Sequence, residues 1–173
     1  MSGIKLTMYS LVAASALLIT GCGGVYTWRP SVPENMRTVV VPTFRNETEL
    51  TEIGSVVTRQ VLREFQREGT FKLASSDEAA VEIQGVVKAA SLSTIGHNRR
   101  NYSRVTASDF KLVVEISVID RKNGKVVLDN YPLEASVSTV AGMDNNTAER
   151  DASGRAADAL SREIVDRVMG LKW

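Results

Sequence analysis

The sequence predicts an α+β domain, a two-layer sandwich in which two amphipathic helices cover one face of a mixed sheet of four to five strands. Apolar residues recur at helical spacing over about 51–68 and again over about 146–170. Between these stretches lie segments in which apolar and polar residues alternate, as they do in half-buried strands. Two amphipathic helices need an apolar sheet face to cover, and this requirement predicts the two layers.

The first strand is predicted over residues 38–44, where a short β-branched run ends in polar residues. Pro42 has no backbone N–H to donate, so it marks the end or the edge of that strand. Residues 45–48 are expected to form a turn. Thr48 or Thr51 is expected to cap the helix that follows.

The first helix is predicted over about 51–68, with Gly69 in the left-handed conformation that ends many helices. Arg59, Arg63 and Arg67 face away from its apolar side. A short strand is expected over residues 70–74, so that strand, helix and strand form a βαβ unit with parallel or neighbouring strands. The apolar side of the helix is formed by Ile53, Val56, Val57, Val61 and Phe65.

Three further strands are predicted by alternation, over residues 81–89, 110–118 and 126–137. The second and third are joined by Asn123-Gly124, a strong signal for a β-hairpin. Pro132 is expected to interrupt or bulge the returning strand. The outward side chains make the uncovered sheet face polar and free to meet water or a large partner; they include Glu82, Gln84, Lys88, Lys111 and Glu115.

The C-terminal helix is expected to begin near Asn146, which with Glu149 resembles a capping box. Three acid–arginine pairs at i,i+4 spacing stabilise its exposed side by a few tenths of a kcal/mol each; they are Asp151–Arg155, Asp158–Arg162 and Glu163–Arg167. Its buried stripe is predicted to be Ala148, Ala152, Ala156, Leu160, Ile164 and Val168.

The N-terminal segment has the pattern of a secretory signal peptide, with Lys5 ahead of an apolar run. Its end, Ile19-Thr20-Gly21-Cys22, resembles the lipobox of bacterial lipoproteins, which implies that Cys22 carries a covalent lipid. By the same resemblance, Gly23 favours delivery to the outer membrane. We therefore expect a signal peptide at 1–21, a lipidated tether at 22–36 and one domain at 37–173.

Composition argues against several function classes. The chain has 21 Lys and Arg against 20 Asp and Glu, so no overall field favours nucleic acid. It has one histidine and one cysteine, and no His or Cys pair has metal-ligand spacing. No phosphate-binding glycine loop or nucleophile elbow is present. We expect no enzyme, no metal and no cofactor other than the lipid on Cys22.

The segment 95–104 is the most basic part of the domain, with Arg99, Arg100 and Arg104 around a tyrosine between two strands. Guanidinium groups suit phosphate recognition, which predicts a contact for a phosphorylated lipid headgroup or an acidic partner. Lys88 and Lys111 on the adjoining strands would support that contact. A solvated hairpin loop is the alternative interpretation.

The order and spacing of several segments resemble the LptE family of lipopolysaccharide-assembly lipoproteins. The likeness runs from Gly21-Cys22 through residues 39–48 and 79–85 to the hairpin at 124–128 and the last helix. The resemblance implies an outer-membrane lipoprotein that plugs the barrel of LptD, assists its assembly and contacts lipopolysaccharide. Charge clustering, rather than a motif of the family, places the predicted contacts with lipid A phosphates at Arg99, Arg100 and Arg104, with Lys88 and Lys111 as support.

An alternative resemblance is to the periplasmic domains of CsgG and LpoB, a secretion-pore subunit and a murein-synthase activator. Residues 40–48 followed by a helix carry this likeness. A pore subunit would need amphipathic membrane hairpins of roughly ten residues per strand. The strands here are better explained as the sheet of one domain.

Overall fold

The structure is a computed structural model that describes residues 32–98, 101–140 and 145–173. Side chains are described over 32–93, 108–139 and 146–173. Two helices lie on one face of a six-stranded mixed sheet, so the predicted α+β sandwich is confirmed, with one more short strand than expected. A 3₁₀ turn at Glu34–Met36 precedes the sheet. The elements are β1 (Thr38–Val40), β2 (Arg45–Asn46), α1 (Ile53–Glu68), β3 (Lys72–Leu73), β4 (Val81–Asn98), β5 (Asn101–Asp120), β6 (Lys125–Val140) and α2 (Asn145–Met169).

The strand order is β3-β1-β4-β5-β6, with β2 paired to β4 beside the end of β1. β1 runs parallel to both β3 and β4, so the predicted parallel βαβ unit is confirmed. The remaining strands form an antiparallel meander, in which β5 pairs with both β4 and β6. The short parallel strands therefore lie at one side of a long antiparallel ribbon.

The prediction of one strand over residues 38–44 is wrong. β1 ends at Val40, the chain leaves the sheet through Pro42, and Arg45–Asn46 rejoins it as β2 beside Val86 and Val87. Pro42 lacks the N–H that would continue the ladder, which is consistent with the break. The predicted turn at 45–48 is thus partly a strand.

The expected threonine cap on α1 is also wrong. Glu52 is the residue that precedes the helix, and it makes no side-chain capping bond. The turn before the helix is organised by Asn46 instead. Its Oδ1 accepts from the N–H and hydroxyl of Thr48, and its Nδ2 donates to the carbonyl of Leu50. The other end of α1 is as predicted, because Gly69 is left-handed with φ 80°.

Phe44 fixes the segment between β1 and β2 against the core. Its side chain is only 3% exposed. A Cβ built on Gly85 would lie 2.3 Å from the Phe44 ring, and one on Gly54 would lie 2.5 Å from the Phe44 carbonyl oxygen. The Phe44 N–H donates to the buried hydroxyl of Thr58 at 2.9 Å. Two glycines and one threonine therefore hold this segment between α1 and β4.

The strands β4 and β5 form a hairpin much longer than predicted, with 18 and 20 residues. Backbone pairing continues beyond the alternating segments to Asn98 and Asn101, so most of the predicted basic loop is strand. A register shift between Val87 and Ala89 leaves Lys88 as an extra residue on β4. β6 pairs with β5 as far as Ala107, so only the last few described residues of the hairpin lack a third strand, and residues 99 and 100 lie outside the described residues.

The turn from β5 to β6 follows the prediction, with Gly124 at φ 63°. The irregularity expected at Pro132 lies earlier, because Pro132 pairs in register with Glu115. The register shifts fall between Ile116 and Ile119 of β5, opposite the part of β6 that contains Asn130. Among the described residues, Asn130 is the non-glycine residue with a positive φ, 42°. An asparagine tolerates this conformation better than most residues.

The core lies between the inner sheet face and the two helices. The predicted stripe of α2, from Ala148 to Val168, is buried throughout and is confirmed. The alanines near its start let the helix pack closely on the sheet. From α1 the largest contribution is Phe65, whose ring meets Phe71 edge-on at 5.6 Å. The inner face of β5 consists of Phe110, Leu112, Val114, Ile116 and Val118, all of them fully buried.

Two of the three predicted ion pairs on α2 are present, Asp151–Arg155 and Asp158–Arg162. The third is wrong. Arg167 lies over the ring of Tyr131 in β6, with its Cζ 4.3 Å from the ring centroid, and donates to the tyrosine hydroxyl. Arg167 therefore contacts the sheet from the last turns of α2 and does not form the predicted ion pair within the helix. Asn146, the expected cap, lies one residue inside the helix.

Candidate functional site: the outer sheet face and the long hairpin

The outer sheet face is the side of β4, β5 and β6 that the helices leave uncovered. Its side chains alternate with the buried ones, as the strand period requires. The predicted polar set lies here. Gln84, Lys88 and Lys111 are exposed, and Glu82 and Glu115 are half-buried. The face also carries Val86 and Val113, both half-buried, so it is polar but not uniformly charged.

A chain of alternating charges crosses this face beside β2. Glu47 accepts from Arg45 at 2.6 Å and from Lys88 at 2.7 Å, one through each carboxylate oxygen. The Nζ of Lys88 lies 3.7 Å from Glu115 on the neighbouring strand. The pairing of β2 with β4 places the Arg45–Glu47 segment beside Lys88, and the pairing of β4 with β5 places Lys88 near Glu115.

The pKa values of this network shift in the directions that pairing requires. The hydrogen bond from Lys88, assisted by the charges of Lys88 and Arg45, holds the pKa of Glu47 below its ordinary value against partial desolvation. The hydrogen bond to Glu47, with the nearby charge of Glu115, raises the pKa of Lys88. Both groups are therefore charged at neutral pH and neutralise one another.

The other cations of this face are paired in the same way. Lys111 contacts Glu134 across β5 and β6 at 2.7 Å, and Arg121 contacts Glu82 at 3.0 Å. Further along the ribbon, the carboxylate of Asp109 accepts hydrogen bonds from Ser136 and Ser138. The face thus presents a balanced set of ion pairs and hydroxyl groups.

An open groove of about 380 Å³ lies next to this network. The side chains around it include a guanidinium, two carboxylates, two amides and two hydroxyls, so it suits polar rather than apolar groups. Its lining comprises Pro42, Thr43, Arg45, Glu82, Gln84, Gly85, Val86, Glu115, Ser117 and Asn130.

The predicted phosphate contacts are spread along the hairpin. Lys111 lies opposite Ser91, three residues from Lys88 along β4, or about 10 Å at 3.3 Å per residue. Asn101, the first residue of β5, is ten residues from Lys111, about 33 Å along the strand. Arg104 lies within β5, and its side chain is not described.

Three predicted site residues cannot be placed, because Cys22, Arg99 and Arg100 lie outside the described residues. The two lysines are ion-paired near the helix-covered part of the sheet, whereas Arg104 lies near the described end of the hairpin. The phosphate-contact prediction stays a prediction.

The outer face also contains Arg45, Glu47 and Glu134, which are not among the residues predicted for it from the sequence. Arg45 and Glu47 fall in a segment expected to be a turn, and only tertiary pairing with β4 brings them to Lys88. Glu134 had a usable signal, because it alternates with the buried Leu133 and Ala135. A hairpin register assigned from Asn123-Gly124 alone would have missed the extra residues of β6.

Among the residues that the structure describes, no helix has both the length and the hydropathy that a membrane span requires. These residues also include no group of three or more His, Cys, Asp or Glu side chains arranged to hold a metal ion.

Comparison with protein families gives one match that covers most of the chain. The family described as "LptE: Lipopolysaccharide-assembly" matches residues 36–168. The chain belongs to the LptE family. This membership confirms the resemblance inferred from the sequence and identifies a lipopolysaccharide-assembly protein of a non-enzymatic lipoprotein family. A search of curated proteins gave no match.

Solved structures share the fold of this LptE-family chain at low sequence identity. A hypothetical protein from Chlamydia trachomatis is 15% identical with a TM-score of 0.57, over 77% of this chain and 95% of its own. A minor lipoprotein from Acinetobacter baumannii is 15% identical with a TM-score of 0.51, over 79% and 94%. At these identities the likeness concerns the fold alone.

The dodecameric PelC of Paraburkholderia phytofirmans is also similar, at 16% identity and a TM-score of 0.50, over 80% of this chain and 93% of its own. A protein described as a dodecamer therefore has a related fold. At this identity the likeness concerns the fold alone, and the family of this chain rests on the family match.

Proposed function

We propose that this LptE-family chain is an outer-membrane lipoprotein that occupies the lumen of an LptD-like β-barrel and supports lipopolysaccharide transport to the cell surface. The observation that carries the proposal is the family match over residues 36–168. The proposal goes beyond family membership in naming the barrel, the position of the domain inside it and the membrane.

The outer face suits a polar enclosure. Its four described cations, Arg45, Lys88, Lys111 and Arg121, are each neutralised by a carboxylate of the same face. A sheet face that meets a polar barrel wall is best left without unpaired charges, because desolvating an unpaired charge is strongly unfavourable. Internal ion pairs and serine hydroxyls meet that requirement and leave a balanced face for the barrel wall.

The membrane attachment is proposed to be a covalent lipid on Cys22, after removal of residues 1–21. The apolar run, the small residues before the cysteine and the absence of another cysteine in the chain support this. Several acyl chains anchor durably, whereas one anchors only marginally. A Cys22→Ser variant is expected to lose the lipid mass and to appear in the soluble fraction. Retention of the lipid mass would contradict the assignment.

The contact with lipopolysaccharide is proposed to lie on the long hairpin, through Arg99, Arg100 and Arg104. Their guanidinium groups can bind phosphate in a bidentate manner. Lys88 and Lys111 already bind carboxylates, so they would contribute less than the arginines. No enzymatic step is proposed.

Binding of purified full-length protein to lipopolysaccharide tests this contact. The triple variant Arg99→Ala, Arg100→Ala, Arg104→Ala is expected to bind at least tenfold more weakly, because each charged hydrogen bond contributes roughly 1.5–3 kcal/mol before screening. The matched control is the double variant Arg155→Ala, Arg162→Ala, which removes ion-paired arginines from α2. Equal affinities for the wild type and the triple variant would contradict the contact.

Depletion of the chain in cells tests the function itself. Surface lipopolysaccharide is expected to fall while lipopolysaccharide accumulates inside the envelope, and expression of the wild-type chain is expected to restore it. Unchanged surface lipopolysaccharide with loss of murein synthesis or of a secreted product would favour the CsgG- or LpoB-like alternative.

A further inference from the structure

The solvent side of α1 carries three arginines in one row. Arg59, Arg63 and Arg67 are each four residues apart, so they lie along one side of the helix over about 12 Å. All three are exposed. They lie on the side opposite Val57 and Val61, which are fully buried against the core. The row therefore points away from the sheet.

The first two arginines of this row have no carboxylate three or four positions away on the helix. The residues within three or four positions of them are Ser55, Val56, Arg59, Gln60, Leu62, Arg63, Gln66 and Arg67. Within the described part of the chain, Arg59 and Arg63 have no hydrogen-bond or ion-pair partner. Arg67 pairs with Glu64 at 2.7 Å.

Other arginines of the domain do have carboxylate partners. Arg155 and Arg162 on α2 pair with aspartates one turn earlier, and the cations of the outer face are all neutralised. Like charges at i,i+4 spacing disfavour a helix, whereas opposite charges favour it. The sequence therefore gives Arg59 and Arg63 no compensating carboxylate at helical spacing, whereas Arg67, Arg155 and Arg162 each have one.

An anionic surface would relieve that repulsion, and arginine forks match phosphate oxygens in particular. The described domain begins at Val32, ten residues after Cys22, and ten extended residues reach at most about 35 Å. A domain tethered by a lipid at Cys22 thus stays within reach of phosphate-bearing headgroups.

We propose that the Arg59–Arg63–Arg67 row of α1 docks on anionic phospholipid headgroups and holds the domain with α1 against the membrane surface. The inference rests on the lipid anchor of the proposed function. With α1 against the membrane, the outer sheet face on the opposite side is turned away from the lipid. That orientation leaves the face free for a protein partner while the chain waits on the membrane.

The test uses the full acylated chain with a Ser55→Cys substitution, because Ser55 is exposed one turn before Arg59. Acylation blocks Cys22, the one native cysteine, so the introduced thiol takes an environment-sensitive dye. The protein is reconstituted into vesicles of phosphatidylcholine alone or with 30% phosphatidylglycerol. An Ala159→Cys label reports on the exposed side of α2 as a control.

The dye at position 55 is expected to shift to a less polar environment only in the phosphatidylglycerol vesicles, and to shift back at high salt. The double variant Arg59→Gln, Arg63→Gln is expected to lower the docked-to-undocked equilibrium constant about 25-fold, at roughly fivefold per arginine near an anionic surface. The matched variant Arg155→Gln, Arg162→Gln is expected to dock as the unsubstituted chain does. The dye at position 159 is expected to give no shift.

Failure of the anchor and failure of the row give different results. Sedimentation with phosphatidylcholine vesicles reports the anchor alone. The response at position 55 to phosphatidylglycerol reports the row, with or without the anchor. The inference is overturned if that response is absent, if it survives Arg59→Gln, Arg63→Gln, or if those substitutions weaken only co-purification with a protein partner.

Discussion

At the level of single residues, Phe44 determines where the charges of the outer face lie. Its ring occupies the space that a side chain at Gly85 would need, and its backbone is fixed by Thr58 and Gly54. The next residues, Arg45 to Glu47, are thereby placed beside β4, where Glu47 meets Lys88. A buried aromatic contact thus positions an exposed ion-pair network.

A Gly85→Ala substitution is expected to destabilise the fold by about 1–3 kcal/mol, because the new methyl group would overlap the Phe44 ring. Urea unfolding measures this change from the midpoint at constant slope. In the double variant Gly85→Ala, Phe44→Leu the smaller side chain should accommodate the methyl group, so the two effects should be strongly non-additive. Additive effects on the free energy of unfolding would show that the Phe44 ring is not what disfavours a side chain at position 85.

Asp120, at the turn between β5 and β6, makes a pH-dependent contribution to the stability of the fold. Its side chain is 4% exposed, and burial alone would raise its pKa. Hydrogen bonds from the Asn123 side chain and from the N–H groups of Lys122 and Asn123 outweigh that effect and lower the pKa. A lowered pKa in the folded state means that the charged carboxylate stabilises the fold above the ordinary pKa of aspartate, about 4.

The Asp120→Asn variant is therefore expected to be less stable than the wild type at pH 7. The difference should shrink as the pH falls through the folded-state pKa, since the wild-type carboxylate then gains a proton. Unfolding free energies measured between pH 7 and pH 3 test this. A difference that stays constant or grows on acidification would contradict the assigned direction. Glu134→Gln, on the exposed face, is a suitable control.

At the level of elements, the two helical glycines illustrate how similar sequence signals lead to different structural roles. Gly54 and Gly154 both interrupt helical patterns. A Cβ on Gly54 would lie 2.5 Å from a backbone oxygen of Phe44, whereas a Cβ on Gly154 would meet nothing within 4 Å. Only the tertiary contact separates a required glycine from a replaceable one.

Gly154→Ala is expected to stabilise the protein by about 0.5–1 kcal/mol, the usual advantage of alanine over glycine inside a helix. Gly54→Ala has the same intrinsic advantage but is expected to destabilise the protein, because backbone atoms of Phe44 would have to move. Thermal unfolding of the two variants side by side gives the comparison. Stabilisation by both substitutions would contradict the close approach of Phe44 to α1.

The elements with strong periodicity were predictable from the sequence. The stripe of α2 from Ala148 to Val168 and the alternation of Phe110 to Val118 both reflect burial that repeats with the backbone period. The end of α1 was predictable because Gly69 is suited to positive φ. These signals are local, so they are visible without knowledge of the fold.

The elements that depend on distant pairing were not predictable. β2 is two residues long and exists because Phe44 brings Arg45–Asn46 to β4. The sequence predicts a loop over residues 95–104, because charged residues there interrupt the alternation typical of a strand. In the structure the backbone pairs across the hairpin as far as Asn98 and Asn101. Likewise, Lys88 and Lys111 were predicted from charge alone, and their carboxylate partners depend on register.

At the level of the whole molecule, charge is distributed differently on the two sides. The outer sheet face is neutralised by its own carboxylates, whereas α1 presents a row of arginines to solvent. A balanced polar face suits a protein enclosure, and an unbalanced basic row suits phosphate. The two proposals assign these sides to different partners, the barrel and the lipid surface.

The most direct test of the proposed function is the isolation of the protein from outer membranes in mild detergent through a tag joined to Trp173 by a flexible linker. The account predicts one large β-barrel protein in equimolar amount, retained at high salt because the domain is enclosed rather than held by exposed charges. Recovery of the chain alone, of a homo-oligomeric ring or of a murein synthase would contradict the account.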